Sequence, residues 1–244
     1  MKKVLLLMAT AMFLFAACDK TPKDDPKPKP DPDPDPTPTY VAPITIDGAF
    51  ADWATLDASK VAVTKCCSEP YRGALKVAKV YADENYVFIY IEFDEAAVSW
   101  NSEEYVPFHI YLNGDGDTAT GGFGDQFSDA CVDILLEGFL TDGVNFASYN
   151  PGAFKWTGEA NGSGWNWDEV LAEGAGLCSG AGSGNAYEIQ LIREMYPDGV
   201  LADNFSIGFD IQQSWSSVGI LPNADVTEDN VSGKAPMLNV TTVK

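Results

Sequence analysis

Short runs rich in Val, Ile, Tyr and Phe recur along the chain, separated by turn-forming Gly, Asn and Asp. "NYVFIYIEFD" is the clearest. Strand periodicity puts Val87, Ile89, Ile91 and Phe93 on one face and Tyr86, Phe88, Tyr90 and Glu92 on the other. Both faces are largely apolar, as expected of a strand inside a two-layer sandwich. "ALKVAKVYAD", "PFHIYLN", "ACVDILLEG", "GVNFASYN", "NAYEIQLI" and "NFSIGFDIQQ" continue the series, and "PITID" opens it. In "ACVDILLEG" the alternation is broken by Asp133. Helical signals are limited to a turn at "FADWATL" and another at "REMYPDG". The pattern predicts an all-β chain folded as an antiparallel β-sandwich over residues 40–244, with no internal repeat.

The first 39 residues follow other rules. "MKKVLLLMATAMFLFAAC" joins two lysines to an apolar run and small residues, the layout of a secretory signal over residues 1–17. Its apolar stretch is too short for a comfortable membrane span. The ending "LFAAC" resembles the lipobox of bacterial lipoproteins, which implies lipidation of Cys18 and a membrane anchor there. Residues 18–39 alternate proline with Lys, Asp or Thr, so neither helix nor sheet can form. An extended spacer of this kind rises about 3.1 Å per residue and reaches on the order of 60 Å. Asp19, Asp24 and Asp25 resemble the export signals of surface lipoproteins. The expected location is the bacterial outer membrane, lipid-anchored and facing outward.

Charge narrows the partners. The formal net charge is −21, and the first 39 residues carry as many basic as acidic side chains, so the excess lies on residues 40–244. A surface this negative repels phosphate backbones and excludes nucleic acid as a partner; neutral sugars or cations suit it better. Beyond Cys18 there are Cys66, Cys67, Cys131 and Cys178. In an exported protein these are expected to form disulfides. Bridging the adjacent Cys66 and Cys67 is disfavoured by geometry, so the expectation is that the "KCCSEPYRG" loop is tied to the segments around Cys131 and Cys178.

Two sets of residues carry candidate chemistry. In "YLNGDGDTATGGFGD", Asn113, Asp115 and Asp117 alternate with glycine, a spacing compatible with calcium. The pattern is not an EF-hand, because Thr118 and Gly124 stand where glycine and glutamate are required; Asp125 or Asp129 could supply a further carboxylate. The other reading is a turn in which Asn and Asp bond their own backbone. The second set is aromatic. Trp53 is expected in the core, whereas Trp100 sits among polar residues between two strands. Trp156, Trp165 and Trp167 fall in the Gly/Asn-rich "FKWTGEANGSGWNWDE", and Trp215 lies in "QQSWSSVG". Exposed rings of this kind stack on the C–H faces of sugars.

The blocks "ITIDGAFADWATL", "KVYADENYVFIYIEFDE", "FHIYLNGDGDTATGG", "YEIQLIREMYPDG" and "FSIGFDIQ" follow one another over roughly residues 43–213. In this order they resemble the family-9 carbohydrate-binding modules and their relatives in the wider DOMON-like group. The resemblance implies a jelly-roll-like sandwich, a structural calcium, and a poly- or oligosaccharide ligand. It implies Trp100 as one wall of a sugar slot, Trp215 as the nearest candidate for the other, and His109 as a polar ligand contact. It makes the chain a surface-tethered noncatalytic glycan-binding lipoprotein working beside other glycan-uptake proteins. The alternative is a structural or adhesive surface lipoprotein without sugar binding. Glu103 and Glu104 are the one acidic pair placed to suggest glycoside hydrolysis, and no catalytic residue is assigned.

Overall fold

A computed structural model describes residues 40–94 and 105–244. The expected signal, Cys18 and spacer lie outside the described residues, as do Trp100, Glu103 and Glu104. Val41–Lys244 form one compact unit. Its strands are β1 Ala62–Lys65, β2 Leu75–Ala82, β3 Tyr86–Phe93, β4 Pro107–Asn113, β5 Ile134–Phe139, β6 Gly152–Trp156, β7 Trp167–Leu171, β8 Cys178–Ser183, β9 Ala186–Ile192, β10 Asn204–Gln213, β11 Ser216–Leu221 and β12 Leu238–Thr241. Every strand pairing is antiparallel. A five-stranded sheet runs β1-β2-β3-β9-β8, and a seven-stranded sheet runs β11-β10-β4-β5-β6-β7 with β12 also on β10. The all-β sandwich follows directly from the alternating runs.

The core lies between the sheets. Val87, Ile89, Ile91 and Phe93 of β3 face Phe108, Ile110 and Leu112 of β4, Ile134 and Leu136 of β5, and Ile207, Phe209 and Ile211 of β10 in one buried cluster. Residues one position away point outward and are buried again by covering segments. On β3 the outward residues Phe88 and Tyr90 lie under Ile44 and Trp53. This explains why β3 reads as apolar on both faces.

That cover is built from "ITIDGAFADW". "PITID" is not a strand; residues 43–47 run as bends across the outer face of the five-stranded sheet. The backbone amides of Asp47 and Gly48 donate to Glu188 Oε1 at 2.9 and 2.8 Å. The Trp53 indole donates to Glu188 Oε2 at 3.1 Å. Gly48 has φ +77°, a left-handed turn that glycine takes without steric cost. Glu188 is fully buried, and the three donors replace the water that its carboxylate loses. A 3-10 turn at Phe50–Ala54 then sets Phe50 and Trp53 against Tyr90, with ring centroids 5.2 and 5.7 Å apart.

Three expectations need correction. "GVNFASYN" forms no strand; it contributes one bridge, Phe146 to Thr141, because Tyr149 and Phe146 turn in to pack on the core. The segment "FKWTGEANGSGWNWDE" is instead a hairpin, β6–β7. The expected disulfides are absent, and Cys66, Cys67, Cys131 and Cys178 are all free thiols. The topology shows why. Cys66 follows β1 and Cys178 begins β8, the opposite edges of one sheet, four strand spacings or roughly 19 Å apart. Cys131 is buried on the outer face of the other sheet.

Candidate functional site

The outer face of the seven-stranded sheet has two halves. Toward Asn113 it is covered. Phe123, Phe127, Cys131 and Val132 from the β4–β5 loop, with Met237 from the segment after β11, pack over Tyr111, Leu135 and Trp156. Phe127 fits because β10 carries Gly208 beneath it; a Cβ there would lie 2.2 Å from the Phe127 ring. Toward Pro107 the face carries polar groups.

Strand register builds that polar half. Asp210 of β10 pairs with His109 of β4, and His109 pairs with Glu137 of β5, so three ionisable side chains form a row across three strands. Gln212 and Ser217 complete it. The Gln212 amide donates to Asp210 Oδ2 at 2.9 Å and lies 3.3 Å from His109 Nδ1. The Ser217 hydroxyl donates to Asp210 Oδ1. Tyr111 OH is 3.1 Å from His109 Nδ1. Since the Gln212 nitrogen can only donate, Nδ1 accepts, and the proton of the neutral ring sits on Nε2. That atom is 3.1 Å from Glu137 Oε2. The N–H is not directed at the oxygen, however, and Nε2 is a buried polar atom without a hydrogen-bond partner.

The electrostatics follow from burial. Burial pushes the Asp210 carboxyl up, opposed by Ser217, His109, Gln212 and Arg72. The Tyr111 phenol is driven well above its usual range by burial and by the Asp210 and Glu137 charges. Arg72 itself donates to Gln126 at 2.8 Å.

Aromatic groups bound the row on both sides. On one side Phe139 follows Glu137 on the same face of β5, with Tyr105 at 5.0 Å and Trp215 at 5.6 Å. Tyr105 and Trp215 are half or more exposed. Trp215 is held out by the β10–β11 turn, where Ser214 and Trp215 both adopt positive φ, the twist favoured in a two-residue hairpin. On the other side Tyr111, Phe123, Trp167 and Trp165 touch in sequence at 5.5, 5.4 and 6.4 Å.

The structure therefore sets His109 next to Glu137, whose neighbour Phe139 touches Trp215, and packs Trp165 and Trp167 against Phe123 of the covered half. Trp165 is exposed and Trp167 half-buried. Trp156 is 8% exposed beneath Gly122 and Gly158, its indole donating to Glu159 O, so it supports the cover and offers no face. Sequence reasoning passed over Tyr105, Glu137, Phe139, Asp210, Gln212 and Ser217. The signal was present in "LLEGF", where Glu137 interrupts an apolar strand, and in "GFDIQQ", where Asp210 and Gln212 fall two apart.

In the loop read as a calcium site or as a self-bonded turn, the side chains meet backbone amides. Asn113 Oδ1 accepts from Gly116 N, Asp115 Oδ1 from Asp117 N, and Asp117 Oδ1 from Ala119 N. Asp125 accepts from Gly164 N, on the β6–β7 hairpin. Asp129 accepts from Met237 N. Each of these carboxylates serves a backbone amide, and among the described residues no group of three or more His, Cys, Asp or Glu converges to hold a metal. Asp133, Asp198, Lys155 and Trp156 are among the residues that share a cavity of about 360 Å³ with Asp115. Lys155 Nζ lies 2.6 Å from Asp198 Oδ1 and already supplies positive charge there. Burial, with Asp115 and Asp198 nearby, raises Asp133 to about 6. The larger concavity of about 560 Å³, lined by Tyr86, Arg193 and Val200, is at another part of the sandwich and contains none of the row.

No protein-family model matches the chain, and no curated protein matches it.

Proposed function

We propose that the protein is a surface-tethered, noncatalytic glycan-binding lipoprotein of a carbohydrate capture or uptake system. The observation that carries this reading is the row Asp210–His109–Glu137 beside the exposed rings of Trp215 and Tyr105. Sugars need an apolar platform for their C–H faces and a few fixed polar groups for their hydroxyls, and this half-face supplies both. His109 Nε2 and the Glu137 carboxylate are a donor and an acceptor set side by side, the arrangement that orients vicinal hydroxyls. The resemblance to family-9 carbohydrate-binding modules supports the same reading, as do the lipobox-like "LFAAC" and the proline-rich spacer.

A glycan array on the purified protein, followed by calorimetry with the best ligand, tests it. Trp215→Ala should weaken binding by about five- to a hundredfold, the loss expected when one stacking ring is removed. Trp165→Ala should leave affinity unchanged, since its ring packs against Phe123 of the covered half. An array with no glycan signal would leave the structural or adhesive alternative in possession. Changing Cys18 to Ser should release the protein from membranes in soluble form; continued membrane association of that variant would remove the lipid anchor from the proposal.

A further inference from the structure

Among the described residues, the donors of the polar row are turned toward its own acceptors. Both Gln212 and Ser217 donate to Asp210, and the Gln212 amide also faces His109. Tyr111 faces His109, and one Arg72 N–H donates to Gln126. Among the described residues, the buried donor of the row without an aligned partner is His109 Nε2, on a residue only 3% exposed. Against it stand two acceptor-only groups, Glu137 and Asp210. Among the described residues neither forms an ion pair with a lysine or arginine. Glu137 keeps 24% of its side chain exposed, and on the same face of its strand comes Phe139, in edge contact with Trp215 at 82°. A carboxylate beside exposed aromatic faces attracts a cation twice, through its charge and through the ring quadrupoles. The −21 charge of the chain adds a long-range pull of the same sign.

Resting on the glycan-binding reading above, we infer that this face selects sugars bearing a free, protonated amine over their neutral or N-acetylated counterparts and rejects uronates. Glu137 is the residue that sets this preference: its carboxylate receives the ammonium, while Trp215 and Phe139 receive the adjoining C–H face. A uronate in the same position places its carboxylate against the Glu137 carboxylate, with the Asp210 charge buried behind it.

The test compares glucosamine oligosaccharides, their N-acetylated forms, neutral glucose oligosaccharides and uronate oligosaccharides of equal length, by calorimetry on the purified protein at physiological salt. The free-amine ligand should bind about tenfold tighter than the N-acetylated one, the scale of one partly exposed cation contact, and the uronate should not bind measurably. Glu137→Gln should bring the free-amine ligand to within about twofold of its N-acetylated counterpart, removing the preference. Glu137→Asp, which keeps the charge, should retain the order. Trp215→Ala should weaken amine and neutral ligands alike, which separates a site from diffuse attraction to an acidic protein. Equal affinity for amine and neutral sugars, or an unchanged preference in a folded Glu137→Gln protein, overturns this inference and leaves glycan binding standing. If no sugar of any class binds, both fall together.

Discussion

The two sheets share one core but treat their outer faces in opposite ways. On the five-stranded sheet a segment of the chain lies across the face, and its polar group, Glu188, is fully buried with three donors on its two oxygens. On the seven-stranded sheet the described residues cover the half toward Asn113, and the other half carries the polar row. There His109 is almost as buried as Glu188, yet one ring nitrogen has no aligned partner and the neighbouring Glu137 reaches solvent. Burial alone does not distinguish architecture from function. A satisfied buried polar group holds the fold together, whereas a partly satisfied one at the edge of an open face is where an incoming ligand gains most.

The largest effect should come from removing the closed face's anchor. Trp53→Ala deletes an indole packed on Tyr90 and hydrogen-bonded to Glu188, and should cost about 3–5 kcal/mol in urea or thermal unfolding. Trp215→Ala, on the open face, should shift stability by no more than about 0.5 kcal/mol. Equal losses in the two variants would erase the distinction between the faces. Next in size is Glu188→Gln. It turns an acceptor oxygen into an NH₂ group that confronts the Trp53 indole N–H or the Asp47 and Gly48 amides, at a cost of about 1–3 kcal/mol. Glu137→Gln should be nearly neutral in the same melts.

A smaller effect belongs to Asp133, under the covered half. Its raised value means that the folded state favours the protonated acid over the ionised one. The stabilisation is complete below about pH 4, where the unfolded chain is also protonated, and is lost as pH rises through about 6. Asp133→Asn should therefore gain on the wild type by on the order of 1–2 kcal/mol between pH 4 and about 6.5, after allowance for solvent screening, as followed by denaturant titrations. A difference that stays constant with pH would contradict the assignment. Smallest of all is the effect of chelator. Because Asn113, Asp115 and Asp117 cap backbone amides, removing calcium should leave the melting temperature within about 1 °C, far from the shift that a ligand at a hundredfold excess over its Kd would produce.

Much of the fold was legible because strand periodicity is a local signal. The span of β10, and the inward set Val87, Ile89, Ile91 and Phe93, could be read from the chain alone. The break at Asp133 was also meaningful, for β5 begins one residue later. The Gly-rich strands were not legible. β8, "CSGAGS", has no apolar alternation, and it pairs with β9 because Gly180 and Gly182 let Tyr187 lie across them. The site was legible only in part. His109 and Trp215 stood out as a single histidine and a large ring in a polar turn, but Glu137, Asp210 and Gln212 gain their meaning from register across three strands, which no local window contains. Trp156 illustrates the reverse error: a tryptophan in a polar segment whose ring two glycines allow to sink from view.

The Glu188 clip also bears on how the molecule is made. Its three hydrogen bonds join residues 135 to 141 positions apart, so one partner is among the first parts of the unit to be synthesised and the other follows only after most of the strands. The entropy of closing so long a loop must be met before these bonds form, and contacts of this separation slow folding. Until then the aromatic outer face of β3 is uncovered, with Phe88 and Tyr90 open to other chains. The closing segment therefore shields the sheet twice: from other chains while the molecule folds, and from proteases once it has folded.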